Sequence, residues 1–141
     1  MVLRVPIDTS ALRAGFVSGA GASRALLLAA LDGEVLAVAS TALMLQYEDV
    51  LLRPETLEAA GLSARDALDF LDDLCAACLP VAIDVRWRPQ SSDGGDDPVI
   101  DAAVNGLADV IATFDLQDLK APAARFGIAA ETPADVLRRI L

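Results

Sequence analysis

Histidine is absent from this 141-residue chain. Its absence excludes Ser-His-Asp and Cys-His catalysis, and zinc held by imidazole. There are two cysteines, Cys75 and Cys78, too few for a disulfide framework. Aromatics make up only 4%, which favours Ala/Leu-rich helices packed on short Val/Ile strands. Basic residues are outnumbered, 11 against 21 acids, for a net charge of −10. That balance argues against a general nucleic-acid binder with a basic footprint. It fits a basic protein partner, or a metal site that offsets some of the charge. No apolar run approaches the roughly 20 residues needed to span a bilayer. The opening MVLRVPIDTSAL enters a strand-like segment directly, without the charged and apolar regions of a signal peptide. No membrane association is expected, and cytoplasm is the expected location. Catalysis, if present, must use carboxylates, hydroxyls, Lys, Tyr or Cys.

What the chain does contain is apolar residue, at 55%, enough to exclude disorder and to build one core. A single domain over residues 1–141 is expected. Val2–Ile7, Val35–Ala39, Val81–Val85, Val110–Thr113 and Ile128–Ala130 read as strands. Between them lie helix patterns with their own start and stop signals. Ser63-Ala64-Arg65-Asp66 has the form of a capping box with Asp in place of Glu, and Pro98 suits a first helical position. Residues 15–21 and 115–122 read as loops, the second with one helical turn at most. Strands alternating with helices predict an α/β fold, a three-layer α/β/α sandwich with a mainly parallel sheet.

The acids are not spread evenly. Asp93 to Asp118 holds seven aspartates and no Lys or Arg. Asp8 follows the first strand, Asp115 follows the fourth, and Asp96 or Asp97 opens the helix before it. In a parallel sheet the C-terminal ends of all strands share one edge, where such proteins keep their chemistry. Converging carboxylates must protonate or hold a cation, and an all-oxygen set suits Mg²⁺ or Mn²⁺. Each aspartate taken singly also reads as a helix cap or turn residue. Asp101 and Asp109 read as surface or cap residues.

Three other groups stand out. Gln46 and Asp49 share a helix face with i, i+3 spacing, and from the spacing alone a plain polar face is the favoured reading. Cys75-Ala-Ala-Cys78 lies late in a helix, not at the N-terminus where a redox pair belongs, so it reads as a small apolar contact in the core. Trp87 between Arg86 and Arg88 could stack on a nucleotide or cover a sheet edge.

Taken in order, several segments resemble the PIN domain (PilT N-terminus), in the branch of toxin components of toxin–antitoxin systems. They are Asp8-Thr9-Ser10, Gln46-Tyr47-Glu48-Asp49-Val50-Leu51-Leu52-Arg53-Pro54, Trp87-Arg88-Pro89-Gln90 followed by Asp93-Gly94-Gly95-Asp96, Ala102 to Gly106, Thr113-Phe114-Asp115-Leu116-Gln117-Asp118, and Arg125 to Ile128 with Thr132-Pro133. The resemblance covers nearly the whole chain. It implies a PIN-like fold and an Mg²⁺- or Mn²⁺-dependent ribonuclease, a homodimer, inhibited by a basic cognate antitoxin. Asp8, Asp96, Asp115 and Asp118 would be the catalytic metal ligands. Asp93, Asp97, Ser10, Thr113 and Asp49 would be auxiliary. The sequence departs from the family pattern at Gln46, which stands where the family has its second acid. A neutral amide can ligate through oxygen but cannot act as a base. Two alternatives therefore stand beside the ribonuclease: a catalytically weakened PIN protein that keeps antitoxin or RNA binding, and an unrelated small α/β binding module.

Overall fold

Short β-branched runs become a parallel sheet because each is followed by a helix long enough to cross back. The computed structural model describes residues 2–84 and 97–140, with Asp97 described by its backbone only. The strands are β1 (Arg4–Val5), β2 (Leu36–Ala39), β3 (Leu79–Pro80), β4 (Val110–Ala112) and β5 (Ala129–Glu131). The helices are α1 (Thr9–Val17), α2 (Ala22–Leu31), α3 (Thr41–Leu51), α4 (Pro54–Ala60), α5 (Ala64–Ala77), α6 (Asp97–Asn105), α7 (Leu116–Ala124) and α8 (Pro133–Ile140).

β1 pairs with β2, β2 with β3, and β4 with β5, all in parallel. A parallel bridge, Ile7 to Ala112, joins the two groups. The Asp109 and Ala112 amides donate to the Arg4 and Pro6 carbonyls, and the Asp8 amide donates to the Ala112 carbonyl at 2.9 Å. Pro6 has no N–H to return, so the seam between β1 and β4 is missing a rung. The strand order is thus β3-β2-β1-β4-β5, with β1 central. Crossovers run outward from β1 to β3, then jump back over the sheet to β4. Right-handed connection then puts α6 and α7 on the face opposite α1 and α2, and this α/β fold with flanking helices is the one the sequence pattern predicts. Val5, Ile7, Leu12, Leu26, Val38, Leu43, Tyr47, Ile100 and Ile111 are buried between the layers.

No single helix among the described residues is long and apolar enough to cross a membrane. The pair α1 and α2 has a span-like composition together, but bends by 99° and lies against the core.

Several boundaries differ from the sequence reading. The third strand is Leu79–Pro80, not Val81–Val85, whose last residue lies outside the described residues. Its partner β2 ends at Ala39, because Ser40 caps α3 through its hydroxyl, and the ladder stops after the Val81 amide reaches the Ala39 carbonyl. Residues 115–122 are not loop: α7 runs for nine residues with Pro122 inside it. Leu119, Pro122 and Ala123 are all buried there, and tertiary burial outweighs the local cost of proline. In α5 the buried seam is Ala67, Leu71 and Leu74, with Cys78 packed at its end. Cys75 sits one position off that seam and is exposed, so only Cys78 makes the expected core contact. The Ser63–Asp66 capping box forms in both directions, at 3.1 and 2.9 Å.

The segment 15–21 was also expected to be loop, yet α1 continues through Gly15 to Val17. A Cβ at Gly15 would come within 2.6 Å of the Leu27 side chain and 2.8 Å of the Ser23 carbonyl oxygen. The glycine is there for close approach of α2, and backbone oxygen cannot yield as a side chain can. Gly15→Ala should therefore lower stability by about 1–3 kcal/mol, the usual cost of overpacking. Gly19→Ala, with open space around it, should stay within about 0.5 kcal/mol of wild type. Urea unfolding of the two variants checks the contrast.

Candidate active site at the strand ends

Asp8 directly follows the Ile7 bridge at the end of the central strand and is the N-cap residue of α1. Its position follows from Ile7, which is locked into the seam with β4, and from Thr9, where the helix begins. The connections on its two sides run in opposite directions, to β2 and to β4. This is the topological switch point of the sheet, where α/β proteins open a crevice.

Asp8 is 3% exposed. A carboxylate that dry needs donors. The Ser10 hydroxyl donates to Asp8 Oδ2 at 2.8 Å, and the Thr113 hydroxyl donates to the same oxygen at 2.8 Å. Each hydroxyl has one proton, so the 3.4 Å approach of the Ser10 and Thr113 oxygens is a consequence of sharing an acceptor. Both oxygens then accept from the backbone: Ser10 Oγ from the Phe114 amide at 3.1 Å, Thr113 Oγ1 from the Asp115 amide at 2.8 Å. The β4–α7 turn is thereby tied to the β1–α1 turn through Asp8. No described residue gives a hydrogen bond to Asp8 Oδ1.

Asp115 caps α7 in position, and Asp118 lies in its first turn. Both are half-buried. The Asp115 carboxyl is raised above its ordinary value, by burial first and then by the negative charges of Asp118 and Asp8. The Asp118 amide pulls the other way, although the geometry falls short of a full cap hydrogen bond. Asp115 therefore senses both of the other acids. Among the described residues no Lys or Arg forms an ion pair with Asp8 or Asp115. Nor do three acids or thiols among them form a ready-made cation cage.

Of the remaining sequence candidates, Asp93 and Asp96 lie outside the described residues, and Asp97 is described by its backbone at the start of α6. β3 and β4 are parallel, so their connection returns from the C-terminal to the N-terminal edge. The end of α6 lies near Arg4, whose guanidinium donates to the Gly106 carbonyl at 3.1 Å. Nine residues of helix rise about 13 Å, which carries its start back toward the strand ends. Gln46 is half-buried on α3. Asp49 points away, exposed and ion-paired with Arg53 at 2.9 Å. Asp101 is buried on α6 rather than at the surface. Trp87 and its flanking arginines are outside the described residues.

One residue of the site carried no separate chemical signal in the sequence. Tyr47, beside Gln46, is buried, and its hydroxyl donates to the Ile7 carbonyl, one residue before Asp8. Burial above all, then the nearby Cys78 and Asp8, raises its phenol well above the ordinary value, so it stays a neutral donor. It holds α3, and with it Gln46, against the strand that bears Asp8. The clue available was that it is the only tyrosine, set in an otherwise Ala/Leu-rich helix.

Two outcomes test this geometry. Thr113→Val removes a buried donor to a carboxylate and should cost about 1.5–3 kcal/mol in urea unfolding. A neutral result contradicts the clamp. Asp115 is raised on folding, so its contribution is fully present in acid and is lost as pH rises through its folded value. Asp115→Asn should then raise the melting temperature in chelator near neutral pH by about 2–4 °C. The gain should vanish in acid, below the ordinary carboxylate range.

No curated protein and no solved structure matches the chain. A family model described as PIN domain matches residues 4–117, which include β1 through the start of α7 and hence Asp8, Gln46 and Asp115. With most of its length matched and its acids at the switch point of a parallel sheet, the chain belongs to the PIN domain family, whose members are generally nucleases.

Proposed function

We propose that the chain is a metal-dependent ribonuclease acting as one PIN-like unit over residues 1–141, and the toxin of a toxin–antitoxin pair. The observation that carries this reading is Asp8, a buried carboxylate with one oxygen clamped by two hydroxyls and the other without a described donor. Oxygen donors alone are the right chemistry for Mg²⁺ or Mn²⁺, and the raising of Asp115 by burial and by the charges of Asp118 and Asp8 supports the same fit. Asp8, Asp115, Asp118 and Asp96 would hold the ion, with Asp93 or Asp97 assisting. Bound there, such an ion activates water and offsets charge on a phosphoryl group. The chain's own part is to orient. Ser10 and Thr113 fix the Asp8 carboxylate, Tyr47 fixes the strand behind it, and Asp115 is held at the mouth of the crevice by its amide.

RNA is the proposed substrate, and a basic antitoxin fits the net charge of −10. A homodimer and a cytoplasmic location belong to the same proposal. A second reading is favoured by one residue. Gln46 is neutral where the family pattern has an acid, so the site is weakened and binding of RNA or antitoxin outlasts catalysis.

Cleavage of labelled RNA with Mn²⁺ separates the two. In a weakened site Gln46→Glu restores a charged ligand and should raise cleavage about 10- to 100-fold, the scale on which changes around a metal site act. A wild type that cleaves well and is little changed by Gln46→Glu contradicts the weakened reading. Absence of cleavage by both proteins contradicts the ribonuclease.

A further inference from the structure

Phe114 lies between the two residues that anchor the β4–α7 turn. Thr113 on one side donates to Asp8, and its amide is held by the Glu131 carbonyl at 2.9 Å. Asp115 on the other side is fixed through its amide by Thr113 Oγ1, and its carbonyl accepts from the Leu119 amide at 3.1 Å. The Phe114 amide itself donates to Ser10 Oγ. The backbone of this residue is thus pinned at three successive amides.

The side chain does not share in that burial. Phe114 is 50% exposed, and it takes no part in the hydrophobic core, whereas Phe16 is buried in it and Phe70 packs against it. An aromatic residue half in water beside carboxylates gains less for folding than a buried one. A ring carried on a rigid turn beside those acids is, however, a platform whose backbone ordering cost is already met.

We infer that the Phe114 ring is a stacking surface for an unpaired base of single-stranded RNA, next to the phosphate that faces Asp8 and Asp115. This rests on the ribonuclease reading above and narrows its substrate to strands whose bases can turn outward. Stacking suits this surface for a physical reason. The surroundings are acidic, so phosphate contacts alone attract the strand weakly, whereas a base π-face meets an aromatic ring without regard to net charge. In a duplex the base faces are already occupied by their neighbours and cannot reach the ring.

The test is fluorescence anisotropy with labelled oligouridylate at low salt, with Ca²⁺ replacing Mg²⁺, compared with the same strand paired to oligoadenylate. Wild type is expected to bind the single strand and to bind the duplex more weakly. Phe114→Ala should weaken single-strand binding about 5- to 150-fold, the range of one lost base–aromatic stack. Phe114→Trp should retain binding. Phe114→Leu, apolar but without a π-face, should lose nearly as much as the alanine variant. Circular dichroism confirms that each variant is folded, which this exposed position favours. Wild-type binding unaffected by Phe114→Ala and Phe114→Leu overturns the inference while leaving the ribonuclease standing. A change in sedimentation with unchanged RNA binding also overturns it, and makes the ring a protein contact. No RNA binding by wild type overturns both.

Discussion

Two hydroxyl protons meet on one oxygen of a carboxylate that is almost fully out of water. The two turns at the strand ends depend on that junction. Ser10 brings the first turn of α1, Thr113 brings the end of β4, and each passes the constraint on by accepting a backbone amide from Phe114 or Asp115. Hydrogen bonds to a charged group are roughly twice as strong as neutral ones, so the arrangement is stiff where the seam between β1 and β4 is otherwise thin. Pro6 cannot donate there, and Ile7 supplies the only bridge among the described residues. The side-chain clamp thus does for the sheet what the missing rung does not.

Electrostatics works against the same junction. Asp115 is held above its ordinary value by burial and by the charges of Asp118 and Asp8. Folding therefore assembles acids that would be further apart in the unfolded chain, and it does so without a described basic side chain paired to Asp8 or Asp115. Structures tolerate such strain at places where a ligand relieves it.

Much of this was legible in the sequence. The parallel α/β order followed from alternating strand and helix signals, and the places of Asp8 and Asp115 just past strand ends were readable from the apolar runs before them. The capping box at Ser63 was readable because its chemistry is local. What was not legible depended on distant partners. The length of β3 is set by where β2 ends, the helix at α7 by burial of Leu119, Pro122 and Ala123, and the helical state of Gly15 by the approach of Leu27. Tyr47 had no signature as a strand anchor, since its acceptor is a main-chain carbonyl 40 residues away. Cys75 differed from Cys78 only by rotation around α5, which composition does not record.

The proposed ribonuclease stands or falls on a cation site at Asp8 and its neighbouring acids. The most direct measurement is thermal unfolding of the wild type and Asp8→Asn with and without Mn²⁺. Binding to the folded state alone raises the melting temperature by mass action. Mn²⁺ is expected to raise it in the wild type, and Asp8→Asn to abolish the rise. A wild type whose melting temperature does not respond to Mn²⁺ would contradict it.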